Sequence, residues 1–180
     1  MDTTKILITG THSTGKSTLL NELKTLERFK DFKFIGGVTR DAKSLGFNIN
    51  EEGDLFTQLY CMSRDFLNIV ENKQYNVIYD RSIIDTLVYS LYLYDKLPPW
   101  VIDAIRHICE TLMKNFDLII WLRPEQEISD DSVRSMNKEF QTEVDYMFSR
   151  FFKLHNLPVF QLSGNITERI DQFCKLLDKK

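Results

Sequence analysis

Cysteine, proline and glycine are all scarce in this chain of 180 residues, at three, four and seven. Cys61, Cys109 and Cys174 are odd in number, far apart and without a CxxC pair. That excludes a zinc knuckle or redox couple of the usual spacing, and the thiols read as reduced and mostly buried. An excess of one charge is missing as well: 23 Lys and Arg against 26 Asp and Glu leave a net charge of -3, with a pI near 5.7. The chain as a whole therefore has no attraction for nucleic acid or anionic lipid, and any phosphate binding must come from a local arrangement of donors. No apolar run is long enough to span a bilayer. Met1 to Lys5 leads almost at once to a loop glycine, Gly10, without room for a signal peptide, so the expected location is cytoplasmic with no membrane partner. Low-complexity linkers, repeats and long like-charge blocks are also missing. The expectation is one domain over 1–180.

What is present is an alternation of short apolar runs with longer segments of helical period. Strand-like runs occur at Ile6-Leu7-Ile8, Phe34-Ile35, Val77-Ile78-Tyr79, Leu118 to Leu122 and Val159 to Leu162. Helical patterns cover about 15–28, 54–73, 82–95, 99–115, 131–156 and 166–178. Continuous apolar strands separated by helices predict an α/β protein with a five-stranded parallel sheet. Parallel neighbours need a crossover, and the helices supply it on both faces, making three αβα layers.

Two of the seven glycines fall in one short loop. Gly10-Thr11-His12-Ser13-Thr14-Gly15-Lys16-Ser17 fits GxxxxGK[ST] in full, directly after a strand and directly before the helical run that starts at Thr18. Gly10 and Gly15 let the backbone turn and present its N–H groups to a β-phosphate, and the following helix N-terminus adds a favourable dipole. Lys16 is expected to bridge β- and γ-oxygens, Ser17 to offer a hydroxyl to Mg²⁺, and Thr18 to hydrogen-bond another phosphate oxygen. The cofactors implied are ATP and Mg²⁺. His12 has no neighbouring histidine or cysteine and reads as a solvated or phosphate-facing side chain rather than a metal ligand.

In a parallel sheet, residues just past different strands converge on one edge. Asp80-Arg81-Ser82 follows the run Asn76 to Tyr79 and so belongs beside the phosphate loop. The Asp80 carboxylate is suited to hold a Mg²⁺-bound water or take the acceptor's proton, and Arg81 to fork onto phosphate oxygens. The competing reading is that Asp80 and Ser82 only cap the next helix. The run from Leu118 ends in Arg123-Pro124, which leaves Asp80 as the expected acid of the sheet edge.

With these blocks the chain resembles the P-loop nucleoside and nucleotide kinases. Within them it is similar to the AAA-type ATP-binding kinase domains typified by ribosylnicotinamide kinase and to deoxynucleotide monophosphate kinases. The blocks that carry the resemblance are Gly10 to Thr18, Val38-Thr39-Arg40-Asp41, Asp80 to Thr86, and Asp131-Ser132-Val133-Arg134-Ser135. The resemblance implies a P-loop NTPase fold in which Asp80 is general base or magnesium-water holder and Arg81 contacts phosphates. It implies that Arg40 binds the acceptor and that Gln58 reads a base edge. It also implies a lid at about 124–140 whose Arg134 closes over the transferring phosphate, with Lys138 one helical turn further on. The turn Ser163-Gly164-Asn165 resembles the segment bordering the adenine, although a plain strand-to-helix turn accounts for it equally.

The leading expectation is an ATP-dependent phosphotransferase acting on a small nucleotide-like acceptor. Arg40 and Arg81 favour a (deoxy)nucleoside monophosphate, since two guanidiniums at a pocket need an anion to pair them. The alternatives are a nucleoside kinase, or a kinase acting on a modified base or terminus of a polynucleotide, which the acidic pI disfavours. A regulatory P-loop switch fits less well: Asn72-Lys73-Gln74-Tyr75 lacks the aspartate of NKxD, and no DxxG occurs. The enzyme is expected to work as a monomer or homodimer on a small-molecule acceptor.

Overall fold

The computed structural model describes residues 3–125 and 135–179. Five strands, β1 (Lys5–Thr9), β2 (Phe32–Gly36), β3 (Asn76–Asp80), β4 (Leu118–Trp121) and β5 (Val159–Gln161), form one sheet in the order β2-β3-β1-β4-β5. All four pairings are parallel. The crossovers are made by α1 (Lys16–Thr25), α2 (Val38–Ser44), α3 (Leu55–Glu71), α4 (Ile83–Tyr92), α5 (Pro99–Leu112) and α6 (Lys138–His155), and α7 (Ile166–Asp178) follows the last strand. The expected α/β class, with a five-stranded parallel sheet between two helical layers, is what the chain adopts.

The continuous apolar strands follow from burial on both faces. Leu7, Val77, Tyr79, Ile119 and Trp121 point to a core shared with Ile84 and Val88 of α4, Ile105 of α5 and Phe148 of α6. Their alternates Ile6, Ile8, Ile78, Leu118 and Ile120 meet Leu19 and Leu23 of α1 and Phe173 of α7. With successive side chains pointing to opposite faces and both faces dry, no strand position in β1 or β4 is left for a solvated residue.

Helix ends follow local chemistry. Pro99 opens α5, where a missing N–H is tolerated. Asn137 caps α6, its Oδ1 accepting from the N–H groups of Glu139 (2.9 Å) and Phe140 (3.2 Å). The helical pattern read over 131–156 is thus realised from Lys138 onward, and residues 126–134, which hold most of the expected lid and Arg134, lie outside the described residues. The pattern at 15–28 ends at Thr25 and gives way to a 3₁₀ turn at Glu27–Phe29. One helix was not expected: α2 has only seven residues, opens with β-branched Val38 and Thr39, and follows Gly36-Gly37. Such a segment lacks the length for periodicity to register, and it is held by burial of Ala42 and packing on α3. Among the described residues no helix is long and apolar enough to cross a membrane.

The sheet register brings the ends of β1, β2 and β3 level, with Ile8 beside Asp80 and Asp80 beside Gly36. Glycine is required at 36 by this approach, because a Cβ there would lie 2.5 Å from Asp80 Cβ and 2.9 Å from its carbonyl oxygen. Gly36→Ala is therefore expected to destabilise the fold by about 1–3 kcal/mol through overpacking against backbone, read as a lower thermal midpoint. An unchanged midpoint would show that β2, an edge strand, yields without strain.

Candidate active site

The loop after β1 is built around three residues of positive φ: Gly10 (129°), Ser13 (56°) and Gly15 (84°). Gly10 has no substitute, since a Cβ there would fall 2.2 Å from the carbonyl oxygen of Leu122 at the end of β4. Gly15 caps α1, and its carbonyl accepts the first helical hydrogen bond from Leu19 N–H at 3.0 Å. The Lys16 ammonium lies folded into the loop. It donates to the carbonyls of Gly10 (2.8 Å) and Thr11 and to Thr14 Oγ1 (3.0 Å). These acceptors are neutral, and an anionic phosphate oxygen is a stronger partner for the same ammonium. Ser13 Oγ, buried in the loop, has no hydrogen-bond partner, an opening for a ligand oxygen.

Beside this loop, β3 ends in Asp80 and the chain turns through Arg81, whose φ of 66° is unusual for a residue with a side chain. The Arg81 N–H donates to Ile8 O at 3.0 Å, which fixes the turn against β1. Its guanidinium donates from NH1 to Asp85 Oδ1 at 3.0 Å and lies over the Tyr89 ring at 5.3 Å. Asp85, the N3 residue of α4, accepts from Thr9 Oγ1 (2.9 Å) and from the Ser82 N–H (3.1 Å) on its other oxygen. Burial pushes the Asp85 carboxyl up from its ordinary value, while Arg81 and Lys16 pull it down. Burial alone disfavours the Arg81 cation, but Tyr89, Asp85 and Asp80 outweigh it and the guanidinium is held charged.

One open cleft gathers these groups. Its lining includes His12 to Ser17 of the loop, Arg40 of α2, Gln58 of α3, and Asp80 and Arg81. Lys16, Ser17, Arg40, Gln58, Asp80 and Arg81, separated by up to 65 positions (Lys16 to Arg81), are thereby brought to one place. Gly10 and Thr11 lie behind the loop, and Thr18 is exposed outside the lining. Lys138 is likewise exposed and off the cleft. His12 corrects the solvated reading: its ring is buried and stacked on Phe140 of α6 at 5.5 Å, because α6 lies over the loop. The cap reading is divided: Ser82 is the N-cap of α4, whereas Asp80 ends the strand and Asp85 closes the capping box. At the last turn, Asn165 and Glu168 form a capping box, which accounts for Ser163-Gly164-Asn165 as a strand-to-helix turn.

Three groups escaped sequence reasoning. Asp85 left a trace, the Ser82-x-x-Asp85 spacing of a capping box. Arg169 left none, since within α7 it reads as a solvated charge. It is buried, and it donates to Thr14 O (2.9 Å), Gly164 O (2.9 Å) and Glu125 Oε2 (2.7 Å), strapping the phosphate loop to α7. Gln141 of α6 ties the loop from the other side, its Nε2 donating to His12 O at 2.8 Å.

Asp85→Asn keeps the shape and some hydrogen bonding but leaves Arg81 without its anion. It is expected to lower kcat roughly 10- to 100-fold by releasing the guanidinium, and to lower stability by about 3–5 kcal/mol as an ion pair is broken in a buried site. Steady-state kinetics and thermal denaturation check both effects. Unchanged turnover in a destabilised variant would reduce Asp85 to a helix cap.

The model of the AAA domain family matches residues 5–169, and no match was found among curated proteins. Among solved structures, a deoxyadenosine kinase from M. mycoides with dCMP and dCDP bound superposes with a TM-score of 0.68 at 17% identity, over 98% of this chain and 100% of that one. NadR in complex with NR gives 0.72 at 20% identity over 91% of this chain, which spans 46% of the NadR chain. Thymidylate kinase from Candida albicans gives 0.66 at 18% identity over 99% and 92%. The fold is that of the P-loop nucleoside and nucleotide kinases, and the match over residues 5–169 establishes that the chain belongs to the AAA domain family.

Proposed function

We propose that the protein is an ATP-dependent phosphotransferase that moves the γ-phosphoryl group to a small nucleotide-like acceptor, a nucleoside monophosphate held through Arg40. The observation that carries this reading is the shared cleft: a complete phosphate loop after β1 faces Asp80 and Arg81 after β3 and Arg40 at the start of α2. Lys16 and the loop N–H groups would bind and orient the β- and γ-phosphates. Ser17 and Asp80 offer the hard oxygen donors that Mg²⁺ prefers, and the ion would neutralise charge on the transferring group. Arg81, held by Asp85, would stabilise charge on the phosphoryl oxygens, and Asp80 would receive the acceptor's proton or orient its hydroxyl. Since these groups do little covalent work, rate enhancement comes from positioning and charge.

One observation favours a second reading, an uncharged nucleoside as acceptor. Arg81 already pairs with Asp85, so it does not require an acceptor phosphate to justify its burial. Arg40 is exposed at the cleft mouth and is the residue on which the two readings differ.

Lys16→Ala is expected to reduce phosphoryl transfer a hundredfold or more with the fold intact, measured with ATP·Mg²⁺ and a panel of nucleosides and monophosphates. Full turnover in the variant would refute the phosphotransferase reading. For Arg40→Ala, a monophosphate acceptor predicts a KM raised roughly 10- to 100-fold for the acceptor and nearly unaltered for ATP. Arg40→Lys should rescue only part of this, since a point charge does not reproduce a planar fork. A parent enzyme that prefers the nucleoside, with an acceptor KM indifferent to Arg40, selects the second reading.

A further inference from the structure

The wall of the cleft opposite the phosphate loop is made by α3 and α4, and its composition is unusual for two packed helices. Where an apolar seam is the norm, buried polar side chains pair across the interface in two rungs. In the first, Ser90 Oγ lies 2.9 Å from Gln58 Oε1 and 2.7 Å from Thr86 O. In the second, Thr86 Oγ1 donates to Asp65 Oδ2 at 2.7 Å. Gln58 and Asp65 are seven residues apart and so lie on one face of α3, two turns from each other. Both are buried and both line the cleft, with Cys61 between them.

Asp65 is the group that the phosphotransfer machinery does not use. Its Oδ2 is satisfied by Thr86, whereas Oδ1 makes no hydrogen bond within the protein and is open to the cleft. A buried carboxylate with one neutral hydrogen bond is poorly compensated and gains strongly from a further donor. The charged and titratable groups around it are few. Cys61 lies one turn back on α3, its thiol pushed up to about 12 by burial and by Asp65, and so stays neutral. Cys109 of α5 is likewise a neutral thiol, raised by burial. Asp85 acts on it from α4 and Arg81 from the turn after β3, already engaged with Asp85, and Tyr89 lines the same cleft. Burial pushes the Asp65 carboxyl up to about 7; Asp85 adds to this, and the Thr86 hydroxyl and Arg81 oppose it. The proton is therefore held below about pH 7 and released above it, so that Oδ1 becomes an obligate acceptor in the alkaline range.

We propose that Asp65 is a specificity-determining residue, its open carboxyl oxygen reading a hydrogen-bond donor on the acceptor, so that the preferred acceptor carries a base with an exocyclic amino group directed at α3. The assignment rests on the phosphotransferase reading of the same cleft. The ionised carboxylate accepts from an amino N–H and repels a carbonyl oxygen at the same place. The protonated carboxyl donates to a carbonyl and discriminates less. Gln58, pinned by Ser90 on the same wall, holds the base in register so that this one contact decides.

The test is equilibrium binding, without ATP, of acceptor pairs that exchange an amino group for a carbonyl, the ring nitrogen beside it changing from acceptor to N–H donor: cytidine and uridine, adenosine and inosine, each as nucleoside and monophosphate, from about pH 6 to about pH 8, below the ionisation of that ring N–H. Any phosphate ionisation is common to both members of a pair and cancels. The expected result is a roughly 10- to 100-fold preference for the amino member at the alkaline end, shrinking towards pH 6. Asp65→Asn should flatten that pH dependence. Thr86→Val, which removes the hydroxyl that stabilises the ionised form, should move the transition to higher pH and keeps the test alive if Asp65→Asn does not fold. Equal affinity for both members of every pair, a preference independent of pH, failure of every member to bind, or an identical pH profile in Asp65→Asn would overturn the proposal. Phosphoryl transfer measured on the same panel separates the two readings. Transfer without amino preference refutes the role of Asp65 alone, whereas amino-selective binding without transfer supports that role and refutes the phosphotransferase reading.

Discussion

A carboxylate taken out of water must be surrounded by donors, and at Asp85 this requirement organises the edge of the sheet that faces the cleft. Its two oxygens are claimed by Thr9 at the end of β1, by the backbone of Ser82 and by the Arg81 guanidinium. One buried charge thus fixes the phosphate-loop strand, the strand end that carries Asp80 and the first turn of α4 relative to one another. It also holds the guanidinium of Arg81 over the Tyr89 ring, on a residue whose backbone conformation a side chain disfavours. Such a conformation persists only where its surroundings over-determine it, and here the carboxylate on one side and the Ile8 carbonyl on the other do so.

The phosphate loop is held by side chains from elements far away in sequence. Arg169 of α7 reaches Thr14 O, Gln141 of α6 reaches His12 O, and Phe140 stacks on the His12 ring. A loop whose N–H groups must converge on a phosphate has carbonyls pointing outward, and these are the groups that the straps satisfy. The same arginine binds Glu125, the last described residue before 126–134, and Gly164 at the turn after β5.

The cleft is divided by chemistry. Towards β1 it is a backbone cradle with an ammonium, suited to polyphosphate. Towards α3 and α4 it is a buried polar wall of Gln58, Asp65 and Thr86, suited to hydrogen-bonding groups on a planar acceptor. Arg81 and Asp80, after β3, line the same cleft.

The amino-acid sequence by itself determined the α/β class, the five parallel strands and the phosphate loop. These rest on local periodicity and on a motif whose backbone geometry is set within eight residues, and Asp80 and Arg81 were legible because parallel strands end on one side. It could not determine α2, which is too short to carry a period and depends on packing against α3. Nor could it single out Asp85, Arg169 or Asp65. In sequence these are ordinary charges on helices, and only tertiary packing decides that they are buried, because burial depends on which helix face meets the sheet or a neighbouring helix. For the same reason His12, which reads locally as a loop side chain, lies under Phe140. Charge in solvent has little structural effect, whereas the same charge desolvated fixes its neighbours, and which of the two applies is a property of the fold.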